Sequence, residues 1–296
     1  MHDEYRACRL CPRRCGADRT GAVGFCGVGA TVRLARAALH AWEEPPISGR
    51  CGSGAVFFSG CGLGCVFCQN REIALGQSGK EVSDERLAEI FLRLEAEGAH
   101  NLNLVTATQF IPSVLAALSL ARARGLSIPV VWNSGGYETP ESLRMLRGAV
   151  DVFLVDFKYG SADAAARHAG APDYPAVCAE ALSEMLRQCP TVLYREDGTL
   201  ARGVIVRVLL LPGGLIDAKL ALRRAYAIAG DRALYSLMSQ YTPMQGMKPP
   251  LDRRVSEAEY RSLVEYAAHL GITGGFTQQG ESAAESFIPP FDLSGL

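Results

Sequence analysis

The sequence of 296 residues has no long apolar run, no block of basic residues and no internal repeat. A membrane-spanning helix needs roughly 18 or more consecutive apolar residues, and no stretch approaches that length, so we expect no membrane partner. Lysine and arginine number 30 against 31 aspartate and glutamate, which leaves a net charge of -1. Because nucleic-acid binding domains carry a clustered positive charge, we also expect no nucleic-acid partner.

The N-terminal stretch MHDEYRACRLCPRRC lacks the apolar core of a secretory signal peptide, so we predict a cytoplasmic location. Hydrophobic residues make up 48% of the chain, which is enough for one large core. A chain of this kind does not depend on disulfides for stability. Metal binding is therefore the better interpretation of its 10 cysteines.

The cysteines form two clusters, while Cys51, Cys178 and Cys189 stand apart. Two clusters predict two metal sites. We divide the chain at the turn-like stretch EEPPISG: residues 1–50 are a small Cys-rich metal-binding segment, and residues 51–296 are the core domain with a C-terminal helix and tail. The first cluster comprises Cys8, Cys11, Cys15 and Cys26, and the second comprises Cys61, Cys65 and Cys68.

Six apolar runs of strand type alternate with amphipathic helical stretches from residue 55 onward, which predicts an α/β fold with a parallel sheet. Six units are fewer than the eight of a closed barrel, so the sheet is either doubly wound or an incomplete barrel. The polar stretch PTVLYREDGTLARG predicts a surface hairpin or a lid. The six runs are AVFFS, NLNLVT, IPVVWN, VDVFLVDF, GVIVRVLLLP and LYSLMSQY.

Helix signals are clear between these runs. Ser83 is placed to cap a helix that ends at Gly98, with Asp84 and Glu85 in its first turn. Further helical patterns lie near 111–125, 140–147, 174–188, 216–228 and 256–269. In either type of sheet the functional groups gather at the carboxyl ends of the strands, so the residues that follow each run are candidate site residues.

The spacing C-x3-C-x2-C of Cys61, Cys65 and Cys68 provides three thiolates. A structural zinc ion needs a fourth ligand, and no other cysteine or histidine lies nearby in the sequence. Three thiolates can instead hold three irons of a 4Fe-4S cluster and leave the fourth iron open. A zinc loop or buried cysteines are the alternative interpretations.

These cysteines, the strand before them and the aromatic Phe67 resemble the signature of the radical S-adenosylmethionine (radical SAM) superfamily. The resemblance implies a partial (β/α)6 TIM barrel that binds a 4Fe-4S cluster and S-adenosyl-L-methionine. It also implies reductive cleavage of that cofactor to a 5'-deoxyadenosyl radical, which abstracts hydrogen from a substrate. A reductant such as flavodoxin or ferredoxin is then an expected partner.

The resemblance also assigns roles near the cofactor. Phe67 is expected beside the adenine, and Asp156 with Lys158 resembles the cofactor-binding pair of glycyl-radical-enzyme activating enzymes, although a surface ion pair is the alternative. Arg207 lies in an apolar strand, where it suits either the cofactor carboxylate or a structural buried ion pair.

Three further stretches complete the predicted cofactor site. Thr106 and Thr108, with Gln109, occupy the place where many radical SAM proteins have Gly-Gly-Glu-Pro, so we expect their polar groups to replace that motif. Asn133 and Ser134 precede two glycines in a turn that either approaches the ribose or is purely structural. The stretch that ends the sixth run, Gln240 and Tyr241, could line the same pocket.

The whole chain resembles the pyruvate formate-lyase activating enzyme-like subgroup called PflX, through stretches such as CRLCPRRCG, GSGAVFFSGCGLGCVFCQN and RGVIVRVLLLPGG. The resemblance suggests hydrogen abstraction from a glycyl radical enzyme partner. The alternative is modification of a peptide or small molecule, and a non-catalytic metal-binding module is a third hypothesis. The N-terminal cysteines then hold either zinc or an auxiliary iron-sulfur cluster.

Overall fold

Ten strands form the sheet structure of the computed structural model, which describes residues 2–278 and 289–296. The parallel strands alternate with helices along the chain, as the repeated βα pattern predicts. The strands are β1 (Val32–His40), β2 (Ser53–Phe58), β3 (Lys80–Val82), β4 (Leu102–Val105), β5 (Val130–Ser134), β6 (Val152–Asp156), β7 (Leu193–Tyr194), β8 (Leu200–Leu209), β9 (Leu234–Met238) and β10 (Gly275–Thr277).

The helices occupy the predicted stretches, and Ser83 caps its helix by accepting a hydrogen bond from the Arg86 backbone N–H. Two short helices and one of eight residues were not predicted; these are the first, second and sixth of the following set. The helices are α1 (Pro45–Ser48), α2 (Arg71–Ala74), α3 (Asp84–Ala96), α4 (Ile111–Ala123), α5 (Pro140–Met145), α6 (Ala162–Ala169), α7 (Tyr174–Gln188), α8 (Leu215–Ala229) and α9 (Glu257–His269).

The strands pair in the order β10-β9-β8-β6-β5-β4-β2-β1-β3, with β7 attached to β8. Pairing is parallel from β2 to β10 along this order and antiparallel for β1 with both its neighbours. All six predicted strand runs are parallel neighbours in this sheet. The fold is therefore an α/β partial barrel, as the sequence predicts.

Three strands extend the sheet beyond the prediction. At one edge β10 pairs with β9, although its three residues are too few to show an alternating pattern. At the other end β1 pairs with β2 and β3 forms the edge beside β1, so the last part of the Cys-rich segment belongs to the sheet. The division of the chain at residue 50 stays a prediction. The tail also contacts β1, because the Leu293 N–H donates to the Ala35 carbonyl at 3.1 Å.

The polar stretch before β8 is a hairpin, in which Leu193 pairs with Arg202. This confirms the hairpin interpretation. The hairpin lies at the amino end of β8, whereas the candidate site lies at the carboxyl ends of the parallel strands. The lid interpretation is therefore wrong, because the hairpin is at the opposite end of the sheet from that site.

Each parallel strand packs one face on the helices and turns the other toward the interior of the partial barrel. On the helix side, Trp132 and Phe153 are fully buried in the main core. On the other side, Val131, Leu154 and Ile205 pack against Ile47 of α1. The α1 segment thus fills the interior below the candidate site. Among the described residues, no helix is both long and apolar enough to cross a bilayer.

Candidate active site

The three-cysteine loop begins where buried strand β2 ends. All six residues of β2 are buried, so the start of the loop is held firmly. Gly60 then turns the chain with φ of +87°, and a Cβ there would lie 2.8 Å from the Cys26 carbonyl oxygen. Only glycine fits this close approach. The loop therefore contacts the N-terminal segment at Gly60, where the loop begins.

The thiols of Cys61, Cys65 and Cys68 line one chamber of about 260 Å³ at the carboxyl ends of the parallel strands. All three are free thiols. Burial, together with the proximity of the other two thiols, raises the pKa of Cys68 to about 12. The loop therefore concentrates three sulfur ligands in one small, largely buried volume.

Seven of the eight predicted cofactor-binding residues line the same chamber. Gln240 and Tyr241, which we considered as lining residues, also reach it. Thr108 is the exception, because its hydroxyl donates to Glu138 at 2.7 Å and it lines a small cavity next to the chamber. The seven residues are Phe67, Thr106, Asn133, Ser134, Asp156, Lys158 and Arg207.

Asp156 and Lys158 form an ion pair in the chamber wall, with Nζ and Oδ2 2.5 Å apart. Their side chains are only 17% and 20% exposed, so this is not the surface pair that we considered as the alternative. Burial alone would lower the pKa of Lys158, but the neighbouring Asp156 carboxylate and the Cys65 thiol raise it above its usual value. Lys158 therefore remains a cation beside the thiols.

Phe67 is buried at the centre of an aromatic group. Its ring meets those of Tyr159, His168 and Tyr241 edge to face, with centroids 6.2, 5.7 and 6.3 Å away. The Tyr159 hydroxyl also donates to the Cys65 sulfur at 3.0 Å. The placement of Phe67 beside the adenine stays a prediction, and the sequence gives no comparable signal for Tyr159.

Arg207 is engaged by two carboxylates from the connection between β1 and α1. It forms ion pairs with Glu43 and Glu44, the latter at 2.6 Å. The Glu43 carboxylate also accepts hydrogen bonds from Asn103 at 2.8 Å and Asn133 at 3.2 Å. The structure thus contains the buried ion pair that we considered for Arg207, and the arginine still lines the chamber.

The turn at residues 106–109 holds the start of the cysteine loop in place. The Gln109 side-chain amide donates to the carbonyls of Ser59 and Gly60 at 3.0 Å and to that of Thr106 at 2.8 Å. Thr106 has φ of +59°, which is uncommon for a residue other than glycine. These contacts show that residues 106–109 stabilise the start of the cysteine loop, in addition to their predicted role near the cofactor.

Glu138 is a buried carboxylate that sequence reasoning missed. It accepts hydrogen bonds from Trp132 Nε1 at 2.7 Å, from Ser134 Oγ at 2.6 Å and from Thr108 Oγ1 at 2.7 Å. Burial raises its pKa above the usual glutamate value. Its residue type gave no signal, because one glutamate after a Gly-Gly turn is common in surface loops. Glu138 lines a cavity of about 30 Å³ that also includes Cys11, Cys26 and Cys61.

The four N-terminal cysteines lie on turns rather than on regular structure. The Cys8 N–H donates to the Ala17 carbonyl, and the Arg14 N–H donates to the Cys11 carbonyl, each at 3.0 Å. Across residues 2–278 and 289–296, no group of three or more His, Cys, Asp or Glu side chains has the arrangement of a metal-ion site. The metal sites predicted at the N-terminal cysteines and at the three-cysteine loop therefore both stay predictions.

A second cavity of about 490 Å³ adjoins the chamber and shares Lys158 and Leu209 with it. Its walls include Leu211, Pro212 and Leu251, and Arg167 stands among its charged lining residues. Cavities of several hundred Å³ with apolar walls and a few polar groups are typical of small-molecule sites.

Residues 55–191 match the family model of the radical SAM superfamily. This stretch, slightly less than half of the chain, is similar to radical SAM domains. The match starts in β2, includes the three-cysteine loop and the Asp156–Lys158 pair, and ends beyond α7. A radical SAM domain implies a 4Fe-4S cluster and S-adenosylmethionine, and it supports cleavage of that cofactor by radical chemistry.

A relative and two solved structures are similar to the chain. The uncharacterized protein MJ0674 of Methanocaldococcus jannaschii is 28% identical over 277 residues, which cover 90% of this chain and 76% of the relative. A radical SAM methyltransferase from Sphaerobacter thermophilus has a TM-score of 0.52 and 15% identity, covering 76% of this chain and 66% of that one. The structure of native anSMEcpe with bound AdoMet and a Kp18Cys peptide has a TM-score of 0.51 and 12% identity, covering 74% and 60%.

At these identities the two solved structures show a shared fold and no more. This chain spans less than two thirds of the length of either of them. The PflX-type subgroup that the sequence resembles stays a prediction.

The residues of the loop fit the implied cluster. Three free thiols at Cys61, Cys65 and Cys68 line one chamber, and thiolates are the ligands of iron-sulfur clusters. The cationic Lys158 stands beside them, which suits a negatively charged thiolate group or a carboxylate. The same chamber contains the aromatic Phe67 and the Asp156 carboxylate, so it offers partners for each part of a nucleoside with an amino-acid chain.

Proposed function

We propose that this protein abstracts hydrogen from a polypeptide substrate by radical SAM chemistry, as glycyl-radical-enzyme activating enzymes do. The supporting observation is that three thiols without a fourth and seven predicted cofactor residues line one chamber. A 4Fe-4S cluster held by Cys61, Cys65 and Cys68 would supply the electron for reductive cleavage of S-adenosylmethionine to a 5'-deoxyadenosyl radical. The protein binds and orients the cofactor and the substrate.

Each part of the cofactor has a proposed partner in the chamber. The Lys158 ammonium pairs with the cofactor carboxylate, and the Asp156 carboxylate pairs with its ammonium or a ribose hydroxyl. Phe67 packs beside the adenine. Asn133 and Ser134 lie at the end of β5, where their polar groups approach the ribose. Arg207 assists the carboxylate through the part of its guanidinium that faces the chamber.

The size of the chamber favours a substrate that enters only in part. About 260 Å³ is slightly below the range of roughly 300–1,000 Å³ typical of sites for one small ligand. Little space remains once the cofactor is bound. Trp42, which lines the chamber and is 58% exposed, extends the site to the surface. A loop of a protein partner fits a chamber of this kind, because only its reactive residue has to enter.

The adjoining cavity supports a second candidate function. Its volume of about 490 Å³ and its common wall at Lys158 and Leu209 would suit a small molecule or the side chain of a peptide. Under this alternative the protein modifies a peptide or small molecule unrelated to glycyl radical enzymes.

We further propose a cytoplasmic reaction with flavodoxin or ferredoxin as the reductant. A reducing compartment suits ten free cysteines, because persistent disulfides belong to oxidising compartments. A one-electron donor of low potential suits cofactor cleavage.

The substrate class can be tested with anaerobic protein that carries a photoreactive residue at position 42. Irradiation in cell extract should crosslink a polypeptide to the variant and so identify it. The same polypeptide is then purified without the crosslink and incubated with wild-type protein, S-adenosylmethionine and reductant. The expected result is a glycine-centred doublet in the electron paramagnetic resonance (EPR) spectrum of that polypeptide. Cys65→Ala should give no doublet, and Cys51→Ala, which changes an exposed cysteine outside the chamber, should give the wild-type signal.

A different outcome would support the second candidate. If 5'-deoxyadenosine forms only with a small molecule from the extract and gains deuterium from a deuterated sample of it, the polypeptide proposal is wrong.

A further inference from the structure

Arg13 connects the N-terminal segment to the three-cysteine loop. It stands between Cys11 and Cys15, and its guanidinium donates to the backbone carbonyls of Gly62 at 2.9 Å and Leu63 at 3.1 Å. Two more hydrogen bonds reach the last turn of α6 and the residue after it, at the carbonyls of Ala169 and Gly170, each at 2.8 Å. Among the described residues, no carboxylate lies within ion-pair distance of this arginine. Its charge is therefore directed at the loop and the end of α6.

The contacts of Arg13 fall on the part of the loop that orients a cluster ligand. Gly62 and Leu63 lie between Cys61 and Cys65, and the Leu63 N–H lies 3.4 Å from the Cys61 sulfur. The Cys61 N–H in turn donates to the Cys26 carbonyl at 3.2 Å. Hydrogen bonds to ligand sulfurs and nearby positive charge raise the reduction potential of an iron-sulfur cluster.

A second arginine, which is buried, would stabilise negative charge on the N-terminal cysteines. Arg19 is 1% exposed and donates to the carbonyls of Val28 at 3.2 Å and Gly29 at 2.5 Å. It also lies 3.7 Å from the Cys8 sulfur, and no carboxylate pairs with it among the described residues. A buried cation needs a compensating negative group, and neighbouring thiolates can provide it.

Two of the N-terminal thiols reach one small volume, and a third lies against the three-cysteine loop. Cys15 and Cys26 sulfurs lie 3.5 and 3.4 Å from the point where a Cβ on Gly24 would be, so both reach the same small volume. The Cys11 sulfur lies 3.2 Å from the corresponding point on Gly62 in the loop. A segment of this size with few regular elements needs a metal or a similar link to hold its conformation.

We propose that Cys8, Cys11, Cys15 and Cys26 bind a metal centre through four thiolates, and that this centre holds Arg13 on the loop as a positioning residue for the first cluster. Zinc and an iron-sulfur cluster share this ligand chemistry. The inference rests on the proposed function only in that the loop binds a 4Fe-4S cluster. It does not depend on the substrate.

The first experiment is metal analysis of the full chain after anaerobic reconstitution with iron and sulfide, and separately after growth with zinc. Cys8→Ala/Cys11→Ala should lose one metal centre relative to wild type and keep the first cluster. Loss of zinc identifies a zinc site, and loss of iron with sulfide identifies a second cluster. Equal metal content in the variant and the wild type would overturn the proposal.

The second experiment compares Arg13→Ala with the conservative Arg13→Lys and with Arg14→Ala as the control. Arg14 is the neighbouring arginine, but its side chain is 61% exposed and makes a 3.8 Å contact with Glu141 rather than with the loop. The EPR spectrum and the midpoint potential of the reduced first cluster are measured in each. We expect Arg13→Ala to alter the spectrum and shift the potential to more negative values, Arg13→Lys to recover part of the shift, and Arg14→Ala to match wild type.

The N-terminal metal site and Arg13 act together only if their variants shift the potential of the first cluster by the same amount. Cys8→Ala/Cys11→Ala should reproduce the shift in potential that Arg13→Ala produces, and adding Arg13→Ala to it should change little. Cys15→Ala offers a milder route to the same test, because Cys15 is exposed and its loss removes little packing. A wild-type spectrum and potential in Arg13→Ala would overturn the positioning role. Failure of the substrate proposal would leave all these signals unchanged.

Discussion

The two cysteine sets of this protein differ in what holds them. The three loop cysteines follow a fully buried strand and line a chamber with the predicted cofactor residues. The four N-terminal cysteines lie on turns that are tied to the rest of the protein by Arg13 and Arg19. The first set is therefore positioned by the sheet, whereas the second depends on side chains and, in our proposal, on its own metal.

We infer from this difference that the loop cysteines serve the reaction and that the N-terminal cysteines serve the conformation of the loop. In our proposal, the set with three ligands leaves a coordination position for a cofactor, and the set with four ligands closes its centre. The N-terminal segment contacts the loop through Cys26 and Arg13, and we propose that these contacts influence the first set.

The largest expected effect is the loss of iron on removing a loop cysteine. Cys65→Ala should lose essentially all iron and absorbance of the first cluster, because two thiolates hold a cubane poorly. Cys15→Ala should retain the first cluster. Iron and sulfide analysis with visible absorption checks both variants. The comparison fails if Cys15→Ala loses the first cluster as completely as Cys65→Ala does.

Arg207→Met should destabilise the chamber by about 3–5 kcal/mol, because it leaves Glu43 and Glu44 buried without their cation. Arg187→Met is the control, since Arg187 is 64% exposed and its ion pair with Glu184 should contribute less than about 1 kcal/mol. Urea unfolding measures both changes. An Arg207→Met variant as stable as the control would show that the two carboxylates do not need the arginine.

Much of the site could be predicted because its signals are local. The cysteine spacing, Phe67 and the Asp156–Lys158 pair are readable within a few residues, and the strand ends follow from the alternation of apolar runs. The parallel pairing of these strands confirms that their carboxyl ends lie at the same end of the sheet.

The rest depends on contacts between distant residues. Glu43 and Glu44 precede Arg207 by more than 160 positions, so the sequence shows only a turn-like EEPPISG. Glu138 is held by Trp132 and Ser134 of β5 and by Thr108, which lies 30 positions earlier in the chain. β1 was missed because its stretch, TVRLARAALHAW, lacks a clean strand alternation, and pairing with β2 decides its conformation.

Lys158→Met should weaken S-adenosylmethionine binding by at least about tenfold, since a charge-assisted hydrogen bond in a buried site is worth roughly 1.5–3 kcal/mol. Lys219→Met is the matched control, because Lys219 lies on α8 and bonds to Ser262 outside the chamber. Equilibrium dialysis with the reconstituted protein gives the affinities. Equal affinity in the two variants would remove Lys158 from the proposed cofactor site.

The smallest effect concerns Glu138, which lies between the two cysteine sets. Because burial raises its pKa, the folded state binds the proton more tightly than the unfolded state does, and wild type loses stability as pH rises through the raised value. Glu138→Gln lacks this loss. The melting temperature of Glu138→Gln relative to wild type should therefore increase as pH rises from below the usual glutamate pKa to above the raised pKa of Glu138. Exposed Glu141→Gln should show no such trend, and a pH-independent difference for Glu138→Gln would contradict the account.

The central claim is that the three-cysteine loop holds a cluster that cleaves S-adenosylmethionine. The most direct measurement is the release of 5'-deoxyadenosine by anaerobically reconstituted protein with reductant and S-adenosylmethionine, compared with Cys65→Ala and Cys51→Ala. We predict release by wild type and by Cys51→Ala and none by Cys65→Ala. Release by Cys65→Ala at the wild-type rate, or no release by wild type that contains its full cluster, would contradict the claim.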